Sequence, residues 1–446
     1  MDLKIKKFVK EKSIFSLLLI FILISKTAMS EGIFEERRRS QFDSEVSYFL
    51  YPLIYQVPGL GSGRGVGGTI TSLLGEGSTL SLLGIRGDIE IDSIVFSDIP
   101  LFTRHFTLSG VYANGKKGGF SFYDRGPDSS KEPEFTLKFG KSIVRALELG
   151  LNFFERQIEL YYGYALAFPE IDYGDSDLID PKIINEGTPQ EQEDEFAAFV
   201  KNLLKYYNLT RVFVRRQGIN LDFTDDRIDP RSGIRFKFEN YGFEGEGLTN
   251  YQVEDYSLTT YHPSDDLSSV LVANVFYSAS EVTNALDDQK IWDKESCLKE
   301  IESRTKISKE TICNGIIRGF EDFNKTEANN SFATTLGGPN RLRSYPISRF
   351  YDKYSFFAGL EYRIYFQEVS APFDFILEKG IYEGIQLAFF HEIGQVSPTN
   401  DSSLYKDFKT STGWGMRLLF SSVVLRADYA TGKEGEEATV FIGYGF

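Results

Sequence analysis

The stretch Ala438-Thr439-Val440-Phe441-Ile442-Gly443-Tyr444-Gly445-Phe446 decides the fold. Val440, Ile442, Tyr444 and Phe446 share one parity, and Thr439, Phe441, Gly443 and Gly445 the other. A strand with one large apolar face and one small face suits a barrel wall between lipid and lumen. A soluble sandwich whose last strand ends on Phe is the competing reading, so the rest of the chain must discriminate.

The N-terminus points the same way. Lys4, Lys6, Lys7, Lys10 and Lys12 precede an almost wholly apolar run from Ile14 to Ile24, and Ala28-Met29-Ser30 is a small-x-small cleavage site. Residues 1–30 read as a secretory signal peptide, short for a spanning helix, with an uncleaved anchor as the competing reading. Beyond residue 30 no apolar run is long enough to span as a helix. An exported chain can still span as a closed barrel, because closure satisfies every backbone group. The 15% aromatic content, with 25 Tyr and 39 Phe, and the 40 glycines suit aromatic girdles and turn-rich antiparallel strands. A net charge of −15 argues against nucleic-acid binding.

Residues 31–58 read as a short periplasmic leader and 59–446 as the barrel, all-β and antiparallel. The leader is too short to fold alone, which leaves no room there for a periplasmic domain. Strands are expected at 65–74, 78–96, 103–114, 117–125, 134–141, 143–155, 157–168, 208–226, 233–245, 249–264, 268–283, 353–367, 382–396, 410–420, 422–431 and 437–446, about sixteen in all. Short turns at Asp229-Pro230-Arg231-Ser232-Gly233 and Ser421-Ser422 would face the periplasm, with long insertions at 169–207 and 284–352 on the extracellular side. The exception is 368–381, a longer periplasmic connection. Glu191–Tyr207, Trp292–Arg304 and Ser308–Phe320 carry helix-like spacing, so the extracellular loops are expected to be partly helical. Cys297 and Cys313 are the only cysteines, and in an exported chain such a pair favours a disulfide, here stapling the loop.

Charges keep to one face of each clear strand. Glu361 and Arg363 oppose Leu360, Tyr362 and Ile364; Arg417 opposes Trp414, Met416 and Leu418; Arg426 and Asp428 oppose Leu425, Ala427 and Tyr429. A charge facing lipid at mid-membrane costs roughly 2–4 kcal/mol, so the charged faces are luminal.

Leu336-Gly337-Gly338-Pro339-Asn340-Arg341-Leu342-Arg343-Ser344-Tyr345 resembles the loop signature of BamA/TamA-type barrels, the bacterial surface antigen superfamily, with Ser344 where that signature has Gly. Asp226-Arg227-Ile228-Asp229-Pro230-Arg231-Ser232-Gly233 resembles the family's periplasmic turn. Gly359-Leu360-Glu361-Tyr362-Arg363 and Phe389-Phe390-His391-Glu392-Ile393-Gly394 resemble its next strands, the latter with Glu392 for the usual Asp. Gly413-Trp414-Gly415-Met416-Arg417 and Leu425-Arg426-Ala427-Asp428-Tyr429 resemble the closing strands. The resemblance covers about 208–446 well and 59–207 loosely. It implies an outer-membrane barrel that assists insertion or translocation of other proteins, with barrel-protein clients and a separate periplasmic partner. It implies that the signature loop folds into the lumen, where Arg343 meets Glu361 and Glu392 beside Tyr345. The closing strand with Tyr444 and Phe446 would pair with the Gly-rich stretch Gly65–Leu74, forming a weak seam.

No cofactor, metal or catalytic residue is expected, and the barrel is expected to be a monomer facing outer-membrane lipid. The GxGxxG spacing at Gly63–Gly68 lies where no βαβ unit fits. His105, His262 and His391 adjoin no nucleophile motif, and Asn208-Leu209-Thr210 and Asn324-Lys325-Thr326 match only a short sequon. A passive pore or surface-structural barrel is the alternative function, and an enzyme barrel a third. Alkylation should find Cys297 and Cys313 blocked until reduction; free thiols in the exported protein would end the staple.

Overall fold

The computed structural model describes residues 36–42, 44–57, 59–133, 135–171, 211–245, 249–284, 331–375, 378–420 and 423–446. Among them, sixteen antiparallel strands close into one barrel. They are β1 (Ser47–Val57), β2 (Gly61–Thr71), β3 (Thr79–Gly87), β4 (Glu90–Pro100), β5 (Phe106–Phe122), β6 (Phe135–Phe153), β7 (Ile158–Ile171) and β8 (Val212–Thr224). There follow β9 (Gly233–Gly245), β10 (Asn250–Pro263), β11 (Ser269–Asn284), β12 (Tyr354–Phe375), β13 (Glu378–Ser397), β14 (Lys409–Phe420), β15 (Val423–Gly432) and β16 (Gly435–Ile442). The expected signal peptide, the cysteines and the helix-like loop segments lie outside the described residues.

Side chains alternate as the charge pattern requires. On β12, Ser355, Phe357, Glu361, Arg363 and Tyr365 are buried, while Leu360, Tyr362 and Phe366 are exposed. On β14 and β15, Trp414, Met416 and Tyr429 face out, while Arg417, Arg426 and Asp428 are buried. The outward band continues through Leu50, Ile54, Leu82, Ile94, Leu147, Leu160, Tyr164 and Val275. An apolar outer wall around a polar, charged interior inverts the arrangement of a water-soluble domain.

The early strands differ from expectation in four places, and the differences cancel in the count. The expected leader contains β1. Its Pro52 lacks an N–H, and a central strand would not tolerate that. β1 tolerates it because it has a full ladder only with β2, from Ser47↔Thr71 to Val57↔Gly61. The stretch 78–96 is two strands, split by a tight turn at Gly87–Ile89 whose Asp88 carboxylate accepts from the Ser62 N–H at 2.7 Å. Asn114-Gly115-Lys116-Lys117 looks like a hairpin turn but is an irregularity inside β5, where register shifts against Glu90 and Ile91. Likewise Gly140-Lys141 sits inside β6, at a register shift between Phe139 and Ser142. A bulge and a turn share the same residue preferences, so local composition does not separate them.

Of the segment 368–381, expected as a long connection, residues 368–375 and 378–381 are wall. β12 and β13 pair down to Phe375↔Glu378. This extension reaches β1 through Tyr48↔Lys379.

The closing pair also differs. β16 pairs with β1, not with the Gly-rich strand, and the register between them holds a single pair, Gln56↔Val440. The wall strand ends at Ile442. The Gly443 N–H donates to Val424 O at 2.8 Å as the last rung, and Gly443 turns the chain with φ +91°, a conformation that favours glycine. Tyr444 and Phe446 therefore leave the wall and enter the lumen.

The folded protein should show heat-modifiable gel mobility and a β-sheet circular dichroism spectrum; a helical spectrum would sink the barrel.

Candidate functional site in the lumen

The loop from Ser331 to Lys353 lies inside the barrel. Leu336 and Phe350 bond to each other through both backbone groups, at 2.9 and 3.0 Å, closing it at its base. Leu336, Leu342, Tyr345 and Phe350 then pack with Phe276, Phe357 and Val396 from the wall, and Phe446 joins this cluster. Apolar burial thus anchors the loop alongside the charged contacts at its tip.

Arg343 is held at the tip. Its Nε donates to Glu392 Oε1 at 2.7 Å, its Nη2 to Glu361 Oε2 at 2.9 Å and its Nη1 to Asp428 Oδ2 at 2.9 Å. Its backbone N–H donates to the other Glu392 oxygen at 2.8 Å, and its guanidinium lies 3.5 Å from the Phe390 ring centroid. The guanidinium's donors are fixed in one plane, so three carboxylates around it are served in a single set geometry. The resemblance implies Glu361 and Glu392 as partners; Asp428 is an addition. Its parity already placed it in the lumen, but only the wall register brings it opposite the loop. Arg363 (2.8 Å) and Arg417 (3.2 Å) also serve Glu361, and Arg417 serves Asp428 at 2.8 Å. Arg426 donates to Pro339 O in the loop at 2.8 Å. The four arginines and three acids are all buried.

Ser344, the departure from the family signature, is matched by a neighbour. A Cβ on Gly432 would sit 2.3 Å from Ser344 Oγ, so the glycine of β15 leaves the space that the serine takes. The Ser344 N–H donates to Ser411 Oγ at 3.0 Å. Tyr345 is buried, with its ring 5.0 Å from that of Phe350. Arg341 instead stacks on Phe276, 3.6 Å from the ring centroid.

The turn between β8 and β9 is the second part of the site. Asp226 Oδ1 accepts from the N–H of Ile228 at 2.8 Å and of Asp229 at 3.1 Å, and Asp225 Oδ1 accepts from the N–H of Arg231 and Ser232. Pro230 is buried within this turn. Gly233 closes it at φ +99°, where a Cβ would meet Phe223 O at 2.2 Å. Burial alone would raise the Asp226 carboxyl. The Arg39 guanidinium and the two backbone N–H groups outweigh it and hold the carboxyl below the usual range.

Asp229 joins the turn to the C-terminal tail. Its Oδ1 accepts from Tyr444 Oη at 2.6 Å and from Tyr365 Oη at 3.0 Å. The Tyr444 ring lies 3.9 Å under the Arg363 guanidinium, and Arg363 bonds Glu361. Phe446 rests in the space left by Gly359, where a Cβ would lie 2.8 Å from its ring. Turn, tail and signature loop, three separate sequence features, form one connected network. Arg37, Arg38 and Arg39, which make ion pairs at the same mouth, carry no sequence signal beyond being three consecutive arginines.

The fold and site define a closed sixteen-stranded antiparallel barrel with an apolar outer wall and a clamped loop inside its lumen. No protein-family model matches the chain, and no curated protein matches it. Among solved structures it is similar to BamA from Haemophilus ducreyi lacking POTRA domains 1-3, at 14% identity and TM-score 0.47, covering 89% of this chain and 69% of that one. It is similar to CdiB from Acinetobacter baumannii at 11% identity and TM-score 0.45, covering 89% of this chain and 60% of that one. It is also similar to OccK2 (OpdF) from Pseudomonas aeruginosa, solved in complex with glucuronate, at 9% identity and TM-score 0.30, covering 92% and 98%.

Arg343→Ala should destabilise the folded barrel by roughly 3–5 kcal/mol, because it strands the buried Glu392. Arg341→Ala should cost about 0.5–2 kcal/mol, the worth of a stacked cation. Denaturant midpoints of the folded gel band compare the two; equal effects would remove the clamp. Tyr444→Phe should cost about 1–3 kcal/mol by leaving Asp229 short of a donor, and a midpoint identical to wild type would disconnect the tail from the turn.

Proposed function

We propose that the protein is an outer-membrane barrel of BamA/TamA type that assists the insertion of other barrel proteins or their movement across that membrane. The observation that carries the reading is the folded-back signature loop, with Arg343 on Glu361, Glu392 and Asp428. The apolar outer band supports placement in a bilayer, in contact with outer-membrane lipid. The seam supports the activity: β1 and β16 share one registered pair, whereas β15 and β16 pair continuously from Leu425↔Ile442 to Gly432↔Gly435. A seam with few ladder bonds opens at lower cost than a continuously paired one such as β15–β16. Such work needs no catalytic residue. Clients would be other barrel chains, and a separate periplasmic partner would deliver them.

A second reading, a passive pore, draws on a polar cavity of about 330 Å³ in the β4–β9 half of the lumen. Depletion followed by measurement of the outer-membrane proteome separates the two. The insertase reading expects several other barrel proteins to fall together. An unchanged proteome with a measurable single-channel conductance would overturn it in favour of the pore.

A further inference from the structure

The cavity in the β4–β9 half is lined by both signs of charge, with Arg156, Arg227 and Arg235 facing Asp98, Glu148 and Glu159. Its lining at the turn end is also the support of a second structure. Residues Arg37–Phe42, just before β1, run across that mouth, and they bind turns that belong to distant strands. The Arg37 Nη1 donates to Thr224 O at 2.9 Å and lies 3.5 Å from Asp222, and its Nε donates to Glu155 O at 3.2 Å. The Arg38 N–H donates to Asp225 O at 2.7 Å, its Nε lies 3.1 Å from Asp225 Oδ2, and its Nη2 donates to Asp229 O at 2.6 Å. Arg39 pairs with Asp226 and with Glu383 on β13. The Gln41 N–H donates to Glu155 Oε2 at 3.1 Å, and Gln41 Oε1 accepts from the Arg227 N–H at 3.0 Å. Phe42 is buried beneath the guanidinium groups of Arg104 and Arg156, at 5.0 and 5.9 Å.

Arg156 and Arg227 thus line the cavity on one side and hold the crossing segment on the other. The segment ties the β6–β7 turn, the β8–β9 turn and β13 together across the opening. Its ion pairs at Arg38 and Arg39 are each about one-third exposed, while the Arg37 side chain is buried. Ion pairs of that exposure are weakened by salt and open to competition from other charges.

We propose that Arg37–Phe42 is an ionic strap that shuts the turn end of the luminal cavity, and that its release admits small hydrophilic solutes from that side. The mixed charge of the lining suits hydrated solutes of either sign and excludes apolar ones. The strap would serve either an insertase or a pore, so it stands apart from the choice between those readings.

The test places a probe in the lining, Ser109→Cys, in the full chain carrying Cys297→Ser and Cys313→Ser. The purified folded barrel is labelled with iodoacetamide, a small uncharged reagent. Replacing the strap charges (Arg37→Gln, Arg38→Gln and Arg39→Gln together) should raise the labelling rate tenfold or more while heat-modifiable mobility is kept. Fast labelling with the arginines intact, or an unchanged rate without them, overturns the strap. Should the triple variant not fold, the intact strap decides the matter in a salt series from 50 mM to 1 M. A several-fold rise then supports release of ion pairs, and a flat series overturns it.

Discussion

The guanidinium of Arg343 ties three separate strands to one loop. Glu361 stands on β12, Glu392 on β13 and Asp428 on β15, and each contributes an oxygen within 2.9 Å. In the buried centre of a barrel, none of these charges can be left unpaired without a cost of several kcal/mol. The loop must therefore sit where the fork reaches all three carboxylates, and the wall must hold the register that puts them there. Arg363, Arg417 and Arg426 join the centre and carry the network outward, to Tyr444 by stacking and to the loop backbone at Pro339.

That arrangement divides the lumen. The β11–β16 half is filled by apolar packing around Leu342 and Tyr345, by the arginine–carboxylate centre and by the C-terminal tail. The β4–β9 half keeps a polar cavity. The division also bears on the seam. Tyr444 and Phe446 contribute their burial and hydrogen bonding inside the lumen, so β16 is left short at the point where it meets β1. Two segments behave in opposite ways at the same mouth: the tail turns in at Gly443, and Arg37–Phe42, before β1, crosses over the opening on three arginines.

Much of this was legible in sequence, for a definite reason. Alternation along 354–366, 410–420 and 422–431 reports a local property, since successive side chains must point to opposite faces. Glu361, Arg417 and Asp428 were accordingly assigned to the lumen from parity alone. The pairing of Arg343 with Glu361 and Glu392 came instead from family resemblance, because nothing local relates a loop residue to a strand tens of residues away. Where local signals are ambiguous, the structure departs from the sequence pattern. Pro52 disguised β1 as a leader, Asn114-Gly115 disguised a bulge as a turn, and the alternation of Tyr444 and Phe446 with Val440 and Ile442 disguised a luminal tail as wall.

By itself the sequence determined an antiparallel strand architecture with charges on one face, about sixteen strands and a signature loop with an arginine at its tip. Only the tertiary structure decided which strand closes the barrel, where the wall ends, that Asp428 is Arg343's third partner, and that Arg37–Arg39 lie across the mouth. The physical reason is one of range. Strand periodicity is set by neighbouring residues, whereas a contact across the lumen depends on closure, register and bulges accumulated around the whole ring.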